Sequence, residues 1–232
     1  MKNIVIIGGS HGIGLAIAKE LQYESKVFVA SRTNDLLADM NVTHISFDVT
    51  TDTLDTTALP DVVHGLVYCP GSINLRPFRG LKLEVFESDW QINVMGLIKV
   101  IQALLPNLTA AEQSSIVTFS SVAAGIGMPF HTSVAAAKGA VEGFAKALAA
   151  EYAPKMRVNV IAPSLTDTPL AEKFLSSDEK REKSAQRHPL KRVGNPEDIA
   201  QMALFLLDEK SSWISGQVFH VDGGMSTLSV NT

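Results

Sequence analysis

Cysteine is almost absent from this chain. Cys69 is the single one, so an intramolecular disulfide is impossible and a reducing cytoplasm is the expected setting. Charge is modest and nearly balanced: 19% of the 232 residues are charged and the net charge is −4. A mildly acidic chain is a poor match for nucleic acid or an anionic membrane, so neither is expected as a partner. Long apolar runs are also missing. The longest fall well short of a spanning helix, and since Met1-Lys2-Asn3 leads straight into the first strand, no signal peptide is expected. Internal repeats, low-complexity tracts and zinc-type Cys/His clusters are absent as well, so no metal is expected.

What remains is a chain that is 46% hydrophobic and long enough for one α/β domain with a sizeable core. Its organising stretch comes first. Ile4-Val5-Ile6-Ile7 reads as a strand buried on both faces. Gly8-Gly9-Ser10-His11-Gly12-Ile13-Gly14 then turns the chain sharply, and Ile13, Ala16, Ile17 and Leu21 recur at helical spacing. A strand, a glycine turn and a helix N-terminus together make an anion site, because unpaired N–H groups and the helix dipole face the turn.

Further along, Lys26–Ala30, His44–Phe47, Gly65–Cys69, Ser115–Ser120, Val158–Ile161 and Gln217–Val221 read as strands. The spacing predicts helices over about Glu84–Leu105, Thr132–Tyr152 and Pro196–Leu207, and only a brief one between the second and third strands. Asn93 interrupts the apolar stripe of the first of these. Residues 168–187 are polar, charged and weakly periodic. Alternating strands and helices predict a single-domain Rossmann fold over 1–232: a doubly wound parallel sheet of about seven strands with helices on both faces.

These motifs, in order and spacing, resemble the short-chain dehydrogenase/reductase family over essentially the whole length. The resemblance rests on Gly8/Gly9-x-x-Gly12-Ile13-Gly14, Asp48-Val49, Asn93 before Val94-x-Gly96, Ser121 in Ser120-Ser121-Val122-Ala123-Ala124-Gly125, Lys138, and Asn159-x-Ile161-x-Pro163. Arg192-x-Gly194-x-Pro196-Glu197-Asp198 and Val221-Asp222-Gly223-Gly224 complete it. It implies a nicotinamide dinucleotide held by Gly8, Ser10, His11, Gly12, Ile13, Gly14, Ser31, Arg32, Asp48, Val49, Cys69, Pro70, Gly71, Lys138, Pro163, Leu165, Thr166 and Thr168. It also implies hydride exchange with a carbonyl or alcohol, with Ser121, Lys138 and Asn93 as catalytic residues, and a homo-oligomer, commonly a tetramer.

Two departures stand out. Cys69-Pro70-Gly71 keeps only the glycine of the family's Asn-Ala-Gly. The family's catalytic tyrosine belongs four residues before Lys138 and thirteen after Ser121, and both spacings land on Val134. Of the other positions, Tyr152 lies fourteen residues past Lys138, about 21 Å along a helix. Ser121 can still bind a carbonyl oxygen, but its hydroxyl is a poor acid. A desolvated Lys138, or His131 in the segment between Ser121 and Lys138, are candidates for the lost donor. The alternative for His131 is a loop residue before a Thr132/Ser133 cap, and Cys69 reads as a packing residue.

Arg32 follows the second strand where an acid would select NAD, which favours NADP(H) over NAD(H), with His11 as a second donor; the alternative is an exposed surface arginine. Residues 170–190 are read as a mobile substrate lid. Three functions stay open: an NADP-dependent oxidoreductase of a small carbonyl or alcohol, a non-catalytic dinucleotide-binding protein, and a redirected non-redox carbonyl enzyme.

Overall fold

The computed structural model describes residues 1–229; positions 230–232, the last of the expected 1–232 domain, lie outside the described residues. Seven strands form the sheet: β1 (Lys2–Ile7), β2 (Ser25–Ser31), β3 (Val42–Ser46), β4 (Gly65–Tyr68), β5 (Ser114–Phe119), β6 (Met156–Pro163) and β7 (Val218–Val221). All neighbours run parallel, in the order β3-β2-β1-β4-β5-β6-β7. The order reverses between β1 and β4, and ligands of open α/β sheets bind outside the strand ends at such a point.

Helices cover both faces. They are α1 (Gly12–Leu21), α2 (Leu83–Trp90), α3 (Gly96–Thr109), α4 (Val122–Gly125), α5 (Thr132–Tyr152), α6 (Asp178–Gln186) and α7 (Pro196–Leu207). Two apolar clusters result. One side chain set of each strand packs with α3 and α5 around Leu66, Leu97, Leu104, Val141 and Val158. The opposite set packs with α1 and α7 around Ile4, Ile6, Ile17, Val117 and Leu206. Strands buried on both faces explain the unbroken apolar quartets in the sequence. Each fully buried Ile or Leu contributes about 1.5–3 kcal/mol to this core.

Three local features differ from expectation. Between β2 and β3 there is only a 3-10 turn at Asp35–Leu37, in place of a brief α-helix. The polar stretch after β6 contains a 3-10 segment, Pro169–Phe174, and then α6, which buries none of its residues and so carries no apolar stripe. Finally, α2 and α3 are joined by a π-helical turn at Gln91–Met95. The union is one continuous helix, Leu83–Thr109, whose most apolar stretch has a mean hydropathy of 1.3, long and apolar enough to cross a membrane. The sequence runs look shorter because Glu84, Glu87, Asp89 and Lys99 interrupt them. In the fold this helix lays Leu97, Val100, Ile101 and Leu104 on the sheet.

Candidate active site

At the switch point, Ile7 of β1 pairs with Tyr68 of β4, so Gly8 and Cys69 leave the sheet side by side. The Cys69 N–H donates to the Ile7 carbonyl at 3.0 Å. Gly12 has φ +53°, in the left-handed region that favours glycine. A Cβ on Gly14 would stand 2.5 Å from the Gly8 carbonyl oxygen, so only glycine lets α1 begin this close to the strand. No acidic residue sits in the first turn of α1, and its N-cap, His11, makes no side-chain cap. The N–H groups of that turn are therefore free for an anion, as a dinucleotide phosphate requires.

Beyond the turn, Ser10 Oγ lies 3.0 Å from His11 Nδ1 and 3.3 Å from Thr33 Oγ1. Ser31 donates to the Thr33 carbonyl at 2.8 Å, which leaves Arg32 exposed next to this hydroxyl-rich corner. Asp48 follows β3. Hydrogen bonds from the hydroxyl and N–H of Thr50 hold its carboxyl below the usual value, against desolvation, with a smaller contribution from the charge of Arg32. Val49 packs where a side chain on Gly96 would collide with it.

The reacting end is built by β5, α5 and the π turn. Lys138 is 8% exposed and its Nζ donates to the Phe119 carbonyl at 2.9 Å. Burial pulls its pKa down to about 8, opposed by the nearby Cys69 and Asp89. Asn93 Nδ2 donates to Ser72 Oγ at 2.9 Å and to the Asp89 carbonyl at 2.7 Å. Its Oδ1 is buried with no hydrogen-bond partner among the described residues. A Cβ on Gly71 would lie 3.4 Å from both that oxygen and Lys138 Nζ, so the two polar atoms face one small space beside Gly71. Ser121 caps α4, accepting the Ala123 N–H at 3.2 Å, and so keeps its hydroxyl hydrogen for the cavity. Burial pushes the Cys69 thiol up to about 12, which suits a packing role.

A cavity of about 240 Å³ lies against Lys138, Ser121 and Cys69. Of the residues singled out from sequence, Ile13, Cys69, Gly71, Ser121, His131 and Lys138 line it, with Pro163, Leu165, Thr166 and Thr168 from the loop after β6. Gly8, Ser10, His11, Gly12, Gly14, Ser31, Arg32, Asp48, Val49 and Pro70 lie outside it, around the strand ends. Asn93 touches the cavity only through its neighbours Ser72 and Gly71. His131 is half-buried, its Nδ1 2.7 Å from the Pro129 carbonyl. The expected Thr132/Ser133 cap is not made: His131 is the N-cap residue, without a side-chain bond, and the Ser133 hydroxyl turns inward instead.

Val134 stands one helical turn before Lys138, 6% exposed, and also lines the cavity. The tyrosines are elsewhere. Tyr68 is buried and donates to the Ile92 carbonyl at 2.6 Å inside the π turn. Tyr23 is exposed, and Tyr152 ends α5.

Two clusters were not foreseen. Asp89, fully buried near the end of α2, accepts from Ser72 Oγ (2.5 Å), Asn74 Nδ2 (2.7 Å) and Ser133 Oγ (2.6 Å), tying the loop after β4, α2 and the start of α5 together. A carboxylate four residues from Asn93, on the apolar face of a helix, is the signal that would have found it. The second is a contact between Ser164 and His188, 24 residues apart, for which no local pattern exists.

Comparisons with known proteins agree with this geometry. A family model described as enoyl-(acyl carrier protein) reductase matches residues 8–226. The chain is 31% identical to 2-(S)-hydroxypropyl-CoM dehydrogenase 3 of Xanthobacter autotrophicus, covering 97% of this chain and 96% of that protein. Among solved structures, aldohexose dehydrogenase of Thermoplasma acidophilum superposes with a TM-score of 0.90 at 29% identity, covering 100% of this chain and 96% of that one. ElxO with NADP bound gives 0.89 at 26% identity, covering 98% and 99%. Parallel topology, the glycine turn at the switch point, the lysine–asparagine–serine cluster and these likenesses lead to one assignment: the chain belongs to the short-chain dehydrogenase/reductase family of hydride-transferring oxidoreductases.

Proposed function

We propose that this chain is an NADP(H)-dependent oxidoreductase interconverting a small carbonyl compound and its alcohol, and an atypical member of its family in that Val134 takes the place of the usual tyrosine. The observation that carries this reading is Ser121 and Lys138 lining one cavity beside the glycine turn, with Asn93 Oδ1 facing Lys138 Nζ across Gly71 behind it. When bound, the nicotinamide supplies or accepts the hydride. The N–H groups opening α1 hold the diphosphate. Arg32, with Ser10, His11 and Thr33 around it, holds a 2′-phosphate, and a cation rather than a carboxylate directly follows β2. Asp48 and Val49 bound the adenine, and Cys69, Pro70, Gly71, Pro163, Leu165, Thr166 and Thr168 the nicotinamide end. Lys138 grips the ribose, Asn93 orients the groups beside Lys138, and Ser121 donates to the substrate oxygen. Leu170, Ala171 and Phe174 close the cavity from the segment after β6, which serves as a lid.

With no hydroxyl at position 134, another group must exchange the proton. Lys138 and His131 both line the cavity. Val134 is also what favours a second reading, a dinucleotide-binding protein without turnover, or a carbonyl enzyme without redox chemistry. The protein acts in the cytoplasm as a homo-oligomer, with no nucleic acid or membrane partner.

Fluorescence titration with NADPH and NADH, followed by a carbonyl panel monitored by loss of NADPH absorbance, tests this. NADPH should bind more tightly than NADH. Arg32→Ala should weaken NADPH by about 10- to 100-fold, the range of a charge-assisted hydrogen bond, and leave NADH nearly unchanged. Equal wild-type affinities would remove the NADP assignment. Tight NADPH binding with no oxidation by any carbonyl would shift the conclusion to the second reading.

A further inference from the structure

Ser164 begins the loop after β6, and His188 lies just past α6; they meet in the wall of the cavity. Ser164 Oγ is 2.8 Å from His188 Nε2. The other ring nitrogen, Nδ1, is 2.8 Å from the Ser184 carbonyl oxygen. A carbonyl oxygen only accepts, so Nδ1 carries the hydrogen and Nε2 turns its lone pair to the serine. The ring is 3% exposed, and its outer side lies against Gly223, where an added Cβ would come 3.6 Å from it. Both residues line the same cavity as Ser121, Val134 and Lys138. A buried imidazole fixed at Nδ1, with a hydroxyl between Nε2 and a substrate cavity, has the geometry of a base acting through that hydroxyl.

We propose that Ser164 and His188 are the proton-exchanging pair of this active site. The proposal rests on the redox reading above and supplies the donor that Val134 cannot. In the oxidising direction the substrate alcohol passes its O–H proton to Ser164 Oγ while the serine's own proton moves to His188 Nε2. The C–H bond breaks with its electron pair, the hydride goes to oxidised nicotinamide, and C=O forms. In the reducing direction the hydride adds to the carbonyl carbon, the C=O π pair moves onto the oxygen, and Ser164 Oγ gives that oxygen its proton while the imidazolium returns a proton from Nε2 to Ser164.

The other candidates are less well placed. Lys138 Nζ is already bonded to the Phe119 carbonyl, and His131 is more exposed, with its ring held by a carbonyl two residues away. Ser164 has one competing acceptor, Met225 Sδ at 3.0 Å, which is weaker than an imidazole nitrogen. The charged groups around the histidine leave it without a fixed counter-ion. Arg187 and Lys138 share the main cavity, whose lining among the described residues contains no carboxylate. Across a smaller cavity that His188 also lines are Arg192, Asp198 and Asp222. Arg192 pairs with Asp198 at 2.5 Å, and Asp222 accepts the N–H groups of Gly224 and Ser226.

Two measurements test the pair. In histidine-¹⁵N-labelled protein saturated with NADP⁺, long-range proton–nitrogen spectra report each ring's tautomer, with His188→Gln assigning the signal. The neutral His188 ring is expected as the Nδ1–H tautomer, and an Nε2–H tautomer would overturn the proposal. With a carbonyl that wild type reduces, Ser164→Ala and His188→Gln should each lower kcat by about 10²-fold or more with KM and NADPH affinity unchanged. Ser164→Thr, which keeps the hydroxyl, should recover most of it. Wild-type kcat in Ser164→Ala, with wild type active, overturns the pair alone. A wild type that binds NADPH but reduces no carbonyl overturns the redox reading and the pair with it.

Discussion

Val134 and Lys138 lie four residues apart on α5, both buried, both lining the cavity. Side chains at that spacing share one helix face, so a tyrosine at 134 would reach toward Lys138 and the oxygen held by Ser121. General acid catalysis is worth about 10² to 10⁴ in rate, so in a Ser164→Ala background, where the donor is removed, Val134→Tyr should raise kcat/KM for ketone reduction by at least about tenfold. A variant that binds NADPH normally and gains nothing would show that the cavity has diverged by more than one hydroxyl. Lys138 carries a second consequence at this scale. Its pKa falls from an ordinary 10.5 to about 8 because burial disfavours the charged form. Between those values the unfolded chain binds the extra proton, so the stability of the cofactor-free protein rises with pH through that window. Below about 8 the folded protein bears the cost of a buried charge. Lys138→Met should therefore be stabilised by roughly 1–3 kcal/mol at neutral pH and lose the rise between about pH 8 and 10.5. Denaturant titrations across that range check it, and a wild-type stability flat in pH would contradict it.

Among the elements, legibility follows how local the determining physics is. The inner strands are legible because β1, β4, β5 and β6 are buried along nearly their whole length on two faces, whereas the edge strands β3 and β7 are only half-buried. The helices Thr132–Tyr152 and Pro196–Leu207 match residue for residue; the second opens with Pro196 at N1 and a capping box between Asn195 and Asp198. The π turn is not legible, because a 3.6-residue period does not record one extra residue per turn. Yet that turn places Asn93 Nδ2 on Ser72 and lets Tyr68 bond the Ile92 carbonyl. Ser121, Lys138 and Asn93 are found through family spacing, whereas Asp89 and the Ser164–His188 pair depend on tertiary contacts. The segment after β6 is intermediate: its polarity is plain, but α6 is held by few buried contacts and its helix is not visible as periodicity. Hydrogen exchange should place residues 170–186 among the least protected without ligand, slowing once NADPH and a carbonyl or alcohol ligand bind. Strong, uniform protection in the free protein would count against a lid.

For the whole molecule, apolar groups at two places stay uncovered by the described residues. On α5, Cβ atoms added at Gly139 and Gly143 would meet nothing within 4 Å, and Phe86 and Trp90 flank Ala136 nearby. Trp213, between α7 and β7, is 99% exposed. Exposed apolar groups at two places on one chain suit a closed symmetric assembly. Light scattering at micromolar concentration should give the mass of four chains, and a monomer would refute this. The central claim is that the cavity joins a nicotinamide to a carbonyl and passes a hydride between them. It is tested most directly by incubating the protein with NADPH deuterated at the transferring position and a carbonyl panel, then weighing the alcohol products by mass spectrometry. A product carrying the deuterium, formed by wild type and lost in Ser121→Ala, is the expected result. Saturable NADPH binding with no labelled alcohol from any carbonyl would contradict the claim.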